Sequence, residues 1–304
     1  MGESNDTRPV GGDGGKILVT GSNGQLGKEL QQIASSFPYF DFIFLSRADL
    51  PIHDFEKVKN IFKTHHPLYV INCAAYTAVD EAETEKELAS KINGEAVGVL
   101  ASLCKEQYCK FIHISTDYVF DGTATVPYKE DSPTNPQSIY GASKLEGEKQ
   151  ALQCNPDSLI IRTSWMYSEF EKNFVKTMLK LLSEKKEINI VNDQIGSPTY
   201  AKDLAEAILQ IIVSENLPAD RHGWQPGIYN YSNEGIISWY DFAVAIKEMI
   251  GSQCRINPIP TSQYPTPAKR PAYSVLDKSK IQKAFGIELK DWKESLATCL
   301  DSLK

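Results

Sequence analysis

Three glycines spaced three apart, Gly21, Gly24 and Gly27, follow a short apolar run at 16–20, and Leu26, Leu30 and Ile33 then recur at helical spacing. An apolar run without alternation is what a strand buried on both faces requires. A helix starting a few residues later leaves room only for a tight turn, which glycine permits because it carries no Cβ. The chain is thereby committed to a strand-turn-helix unit at its start. The rhythm continues, with strands predicted at 42–45, 68–72, 111–115 and 158–161. Between them run helical faces carrying Phe55, Val58, Ile61 and Phe62, then Leu88, Ile92, Val99 and Leu103. Strands alternating with helices predict an α/β fold with a doubly wound parallel sheet of the Rossmann type. Ligands of such sheets lie outside the carboxyl ends of the strands.

After about residue 165 the rhythm loosens. Phe174, Met178 and Leu182 mark a helix, 188–191 a further strand, and Leu204, Ile208 and Ile211 a helix expected to pack back on the main sheet. Helices are predicted at 239–250 and 292–303, with Pro258, Pro260, Pro265, Pro267 and Pro271 breaking up the segment between them. The expected organisation is a flexible tail at 1–15 and a dinucleotide-binding domain at 16–167, to which 188–232 returns in part. A smaller C-terminal substrate lobe takes 168–187 and 233–304. Such a lobe over the sheet's carboxyl edge suits a substrate larger than a simple alcohol.

Several function classes are disfavoured. A formal charge of −7 argues against nonspecific nucleic-acid binding. No apolar run approaches the roughly 20 residues a membrane helix needs, and the N-terminal tail lacks the hydrophobic block of a secretory signal. The 6 cysteines form no C-x-x-C pair and the 5 histidines show no ligand spacing, which predicts reduced thiols, a cytoplasmic protein and no metal site. The acidic run at 80–87 reads as a solvated helix N-terminus favoured by the macrodipole.

The glycine turn is a candidate dinucleotide site. Glycines let the backbone approach a pyrophosphate, and the helix N-terminus attracts it. Gly21, Asn23, Gly24, Gln25 and Leu26 are the contacts expected there; a tight turn with no ligand is the alternative. An NAD-preferring site usually carries an acid about 20 residues further on. Here Arg47 stands after the second strand, and a guanidinium pairs with a 2′-phosphate. NADPH is therefore the expected cofactor, with NADH the alternative if Arg47 is a plain surface residue. Asp49 and Leu50 lie close enough to meet the adenine. Ala74, Ala75 and Tyr76 follow the third strand, where small residues allow a close approach and Tyr76 borders the nicotinamide.

The chemistry sits in Tyr140 and Lys144, four residues apart and so on one helix face. A nearby ammonium eases a phenol's proton loss, which would make Tyr140 a usable acid or base. Alone, the spacing recurs on solvated helix faces. Thr116, after the fourth strand, adds a hydroxyl able to hydrogen-bond a carbonyl, and Asp117 beside it joins the substrate side. Behind a glycine turn, the three form a carbonyl-reduction set.

These blocks resemble the extended short-chain dehydrogenase/reductases, and within them the dTDP-4-dehydrorhamnose reductase family. The resemblance runs from about Lys16 to the C-terminus. It rests on residues 19–27, 72–83, 115–122, 140–148, 162–165, 193–199 and 269–271, with Ser274 and Leu276. It implies reduction of the C4 ketone of dTDP-4-dehydro-L-rhamnose to dTDP-L-rhamnose, with Thr116, Tyr140 and Lys144 catalytic. It further implies that Trp165 and Asn173 face the nucleotide-sugar and that Arg270 contacts its phosphates. Some family members use Mg²⁺ in dimerisation, so a homodimer and a Mg²⁺ requirement stay open, with no ligands assigned. One departure is Ser168-Glu169, where glycine is usual. A non-catalytic NADP-binding subunit similar to the methionine adenosyltransferase β-subunit is an alternative reading, as is a reductase or epimerase of another nucleotide sugar.

Overall fold

The apolar run at the start of the chain becomes β1 (Lys16–Thr20), whose Ile17, Leu18 and Val19 have no exposed surface. The structure, a computed structural model, describes residues 15–214 and 223–304, so the tail expected at 1–15 lies, Gly15 apart, outside the described residues. Helix α1 (Gln25–Ile33) leads to β2 (Asp41–Leu45), and α2 (Phe55–His65) to β3 (Tyr69–Asn72). Next comes α3 (Lys86–Ser90), which passes through one π-helical turn, Lys91–Glu95, into α4 (Ala96–Glu106). Strand β4 (Lys110–Thr116), helix α5 (Ile139–Cys154) and β5 (Leu159–Thr163) complete the first half.

The second half is made of shorter pieces. Its first part holds β6 (Met166–Tyr167), α6 (Phe174–Glu184), β7 (Glu187–Val191), β8 (Ile195–Gly196) and β9 (Thr199–Tyr200). Then follow α7 (Ala201–Ser214), β10 (Gly227–Asn230), β11 (Ile237–Ser238) and α8 (Trp239–Ile250). The chain ends with β12 (Arg255–Ile259), α9 (Ser279–Phe285) and α10 (Trp292–Ser302).

Six strands form one parallel sheet in the order β10-β5-β4-β3-β1-β2. The order reverses at β1, so the two halves wind away from each other and open a crevice at the carboxyl edge. One face of the sheet packs on α1 and α7 through Leu26, Leu30, Leu204 and Ile208. The other packs on α2, α4 and α5 through Val58, Phe62, Leu100 and Ala151. A separate core gathers α6, α8 and α10 around Tyr167, Met178, Phe242 and Leu296.

The second half divides between the two cores. The strand at 188–191 pairs in parallel with β12, not with the main sheet, so this stretch sits with the second core. Conversely, α9 lies within the span expected for the small lobe, yet Ile281, Phe285 and Ile287 pack into the main sheet's core. At 7 residues α9 is too short to show a helical period against its proline-rich surroundings. Among the described residues, no helix is long and apolar enough to cross a membrane.

The acidic run is also more than a solvated helix start. The Glu83 carboxylate accepts the Ile139 backbone N–H at 2.8 Å, and Glu85 accepts the Tyr76 hydroxyl at 2.9 Å. Asp80 pairs with Arg270. These carboxylates tie α5, the loop after β3 and the C-terminal segment together.

Candidate active site

A cleft of about 660 Å³ opens over the sheet's carboxyl edge. Its walls come from the turn after β1, the ends of β2, β3, β4 and β5, the start of α5, and Glu171 and Lys172 of the second half.

At one end the glycine turn is built for close approach. Gly21 has a φ of +64°, and a Cβ there would lie 2.7 Å from the Ala74 backbone. A Cβ on Gly27 would come within 2.6 Å of the Gly21 carbonyl oxygen. Gly24 caps α1 without a side-chain hydrogen bond, so the helix presents first-turn N–H groups with no side-chain partner. Gln25 and Leu26 line the cleft beside them, whereas Asn23 is exposed and lies off its wall. Anion binding at such a helix end follows from its dipole and free donors.

Arg47 lies exposed on the cleft wall, and Leu50 lies beside it, almost fully buried. Asp49 is used elsewhere. Its carboxylate accepts the Ser46 N–H at 3.0 Å and the Ser46 hydroxyl at 2.6 Å, which holds it below the usual carboxylate range. It braces the loop and does not line the cleft wall. Ala74, Ala75 and Tyr76 line the cleft. The Tyr76 backbone is held by Asn93, whose Oδ1 accepts its N–H at 2.8 Å and whose Nδ2 donates to its carbonyl at 3.0 Å. Asn93 owes that reach to the π-helical turn, and a helix-poor Asn-Gly pair inside a helical pattern was its only trace in the sequence.

At the other end Thr116, Tyr140 and Lys144 meet. The Thr116 hydroxyl donates to Asp117 Oδ1 at 3.0 Å and accepts the Tyr118 N–H at 3.2 Å. The Tyr118 and Tyr140 rings meet edge to face with centroids 5.6 Å apart. Burial pushes Tyr140 up to about 12, opposed by a hydrogen bond with Thr116 and reinforced by Asp117. The expected easing of proton loss by Lys144 is therefore not found: Tyr140 stays a phenol across neutral pH. The geometric reason is that Lys144 Nζ turns to the sheet, donating to the Ile114 carbonyl at 2.6 Å and lying 3.2 Å from His113 Nε2. Burial lowers Lys144 to about 8, against Glu148 and Cys73, which favour its charge. Asp117 is raised to about 6 by burial, opposed by hydrogen bonds with Ser274 and Thr116.

On the expected substrate side, two residues are held by partners within the chain. Asn173 caps α6, accepting the Lys176 N–H at 3.1 Å, and its amide nitrogen donates to the Ser168 carbonyl at 2.7 Å and to Gln25 at 3.0 Å. Arg270 holds Asp80 with two short bonds, 2.6 and 2.7 Å, which neutralise it. Neither lines the cleft. Trp165 does, with a φ of +49° and its ring stacked on Trp239 at 3.7 Å. Trp239, Asp80 and the cleft-lining Lys172 carried no distinguishing signal in the sequence. The Ser168-Glu169 departure gives its loop a separate anchor: Glu169 accepts the Tyr200 hydroxyl, and burial together with the neighbouring Glu169 raises Glu29 of α1 to about 9. Among the described residues, no group of three or more His, Cys, Asp or Glu side chains is placed to hold a metal ion.

A doubly wound parallel sheet with a glycine turn at one end of its cleft and Thr116, Tyr140 and Lys144 at the other defines a short-chain dehydrogenase/reductase of the extended class. Residues 15–304 match the family model described as RmlD substrate binding domain. A dTDP-4-dehydrorhamnose reductase from Aggregatibacter actinomycetemcomitans is 40% identical over 291 residues, covering 92% of this chain and 97% of that protein. The spore coat polysaccharide biosynthesis protein SpsK of Bacillus subtilis is 44% identical over 281 residues, 92% of this chain and 95% of its own. The crystal structure of a dTDP-4-dehydrorhamnose reductase from Bacillus anthracis in complex with NADP superposes with a TM-score of 0.89 at 35% identity, covering 95% and 99% of the two chains. The chain belongs to the RmlD family, among the NAD(P)-dependent reductases homologous to dTDP-4-dehydrorhamnose reductase.

Proposed function

We propose that this protein reduces the C4 ketone of dTDP-4-dehydro-L-rhamnose to dTDP-L-rhamnose with NADPH. The observation that carries the reading is the meeting of Thr116, Tyr140 and Lys144 at one end of a cleft whose other end is an uncapped glycine turn. The residues fit a dinucleotide: the backbone at Gly21 and Gly24 is open to a diphosphate, and Arg47 lines the same cleft with a guanidinium able to pair with a ribose 2′-phosphate. A bound reduced nicotinamide supplies the hydride to the carbonyl carbon.

The chain's own residues handle the proton. The Tyr140 hydroxyl donates to the ketone oxygen, where negative charge develops as the carbon accepts hydride, and Thr116 adds a second donor once its proton leaves Asp117. Tyr140, held as a phenol by its surroundings, gives that oxygen its proton. Lys144, turned to the Ile114 carbonyl and the His113 ring, keeps a positive charge beneath the site. Trp165, backed by Trp239, offers an aromatic face to the sugar.

Cofactor choice is tested at Arg47. Arg47→Ala should weaken NADPH binding at least about tenfold, in the range of a charge-assisted hydrogen bond to phosphate, and leave NADH within about twofold. Fluorescence titration with each nucleotide measures it; equal losses would make Arg47 a bystander. The nucleotide is tested by a panel of dTDP-, UDP- and GDP-linked 4-keto sugars. Turnover restricted to UDP sugars would overturn the dTDP assignment.

A further inference from the structure

Beneath the catalytic lysine runs a line of buried polar side chains that the proposed chemistry does not use. Thr20 Oγ1 lies 2.6 Å from Asn72 Oδ1, Asn72 Nδ2 3.0 Å from His113 Nδ1, and His113 Nε2 3.2 Å from Lys144 Nζ. The four come from β1, β3, β4 and α5, and none is more than 2% exposed. Such a row across an otherwise apolar sheet interior is costly unless every member is satisfied.

Proton accounting decides what the row does. Burial and the neighbouring Lys144 hold His113 well below the usual imidazole range, so the ring is neutral and carries one N–H. A lysine ammonium has only donors. Lys144 can therefore bond His113 in its charged form only if Nε2 accepts and the ring's proton sits on Nδ1. That tautomer needs an acceptor at Nδ1, which Asn72 provides by turning its amide oxygen to the ring and its nitrogen to Thr20. The two amide orientations occupy the same heavy-atom positions. Thr20 Oγ1 can take both donors, the Asn72 amide and the Ala74 N–H at 3.3 Å.

We propose that His113 is a positioning residue for Lys144, a neutral Nδ1–H imidazole whose Nε2 accepts a hydrogen bond from the ammonium and keeps it charged and aimed. Its role follows from what else surrounds Lys144. Glu148, one turn on, is already bound by Arg162 of β5 at 2.7 Å and by the Ser115 hydroxyl of β4 at 2.5 Å. Cys73, at the end of β3, is pushed by burial up to about 12 and stays a thiol. Tyr140, one turn before, stays a phenol. The Ile114 carbonyl and the His113 ring are the two acceptors that hold the ammonium itself.

The kinetic consequence rests on the reductase reading; the positioning does not, and the two are separable. An Asn side chain places its amide near the Nδ1 position and falls short of Lys144, whereas Gln reaches the Nε2 position. Nitrogen and carbon NMR of lysine-labelled NADP⁺-bound protein follows the titration of Lys144, which burial lowers from the ordinary lysine range to about 8. His113→Asn should move it down by about one unit and carry the alkaline limb of kcat with it, a loss of about tenfold near pH 8.5. His113→Gln should stay within about 0.3 units of the native protein. Equal titrations in the two variants would overturn the proposal. Imidazole ¹⁵N shifts of the native protein need no variant: a neutral Nδ1–H ring through pH 6–9 is expected, and a neutral Nε2–H ring would overturn it. A native protein with the expected NMR pattern and no keto-sugar turnover would instead reject the reductase reading alone.

Discussion

Replacing Tyr140 with Phe should lower kcat by at least about 10²-fold while leaving NADPH affinity and thermal stability near native values. The substitution removes one oxygen from the mouth of the cleft. The ring keeps its edge-to-face contact with Tyr118, so packing is preserved. What is lost is the phenol proton, which the surroundings hold in place by raising Tyr140 to about 12. Thr116 alone then faces the developing alkoxide, with its proton already directed to Asp117 at 3.0 Å. Steady-state kinetics with the keto-sugar at fixed NADPH measures the effect. Turnover within a fewfold of native would reject Tyr140 as the donor.

The largest effect on stability is expected at Glu148. Its carboxylate takes Arg162 Nε at 2.9 Å, Arg162 Nη2 at 2.7 Å and the Ser115 hydroxyl at 2.5 Å, and both charged side chains are only 2% exposed. Arg162 also donates to the Glu130 carbonyl at 3.1 Å and lies 5.0 Å from the Phe120 ring centre. Glu148→Ala leaves a guanidinium buried without its counter-charge, which should cost about 3–5 kcal/mol. Removing both partners, as Glu148→Met with Arg162→Met, should restore most of that loss. Urea unfolding of the two variants provides the comparison. A single variant within about 1 kcal/mol of native would show that water or a second carboxylate reaches Arg162.

The parts of the molecule legible in the sequence are those where local pattern and tertiary role coincide. Strand β1 announces itself because burial on both faces removes alternation. The glycine turn is legible because Gly21 and Gly27 face backbone atoms with no room for a Cβ. Tyr140 and Lys144 share a face by helix geometry alone. The pairing of Arg270 is not legible in the sequence, because its partner, Asp80, lies 190 residues away and meets it only after the C-terminal segment crosses the acidic run. The capping role of Asn173 is not legible either, because a capping residue and a sugar contact carry the same amide. His113 lies in an apolar strand, where a single histidine reads as core. Its meaning depends on Asn72 and Lys144, which join it from two other elements.

The most direct test is to mix the purified chain with NADPH and dTDP-4-dehydro-L-rhamnose and to follow the nicotinamide absorbance and the sugar product together. The account predicts one dTDP-L-rhamnose formed per NADPH consumed, with slower turnover on NADH. Tight NADP⁺ binding with neither NADPH consumption nor product would contradict it, and would leave a cofactor-holding protein that is not this reductase.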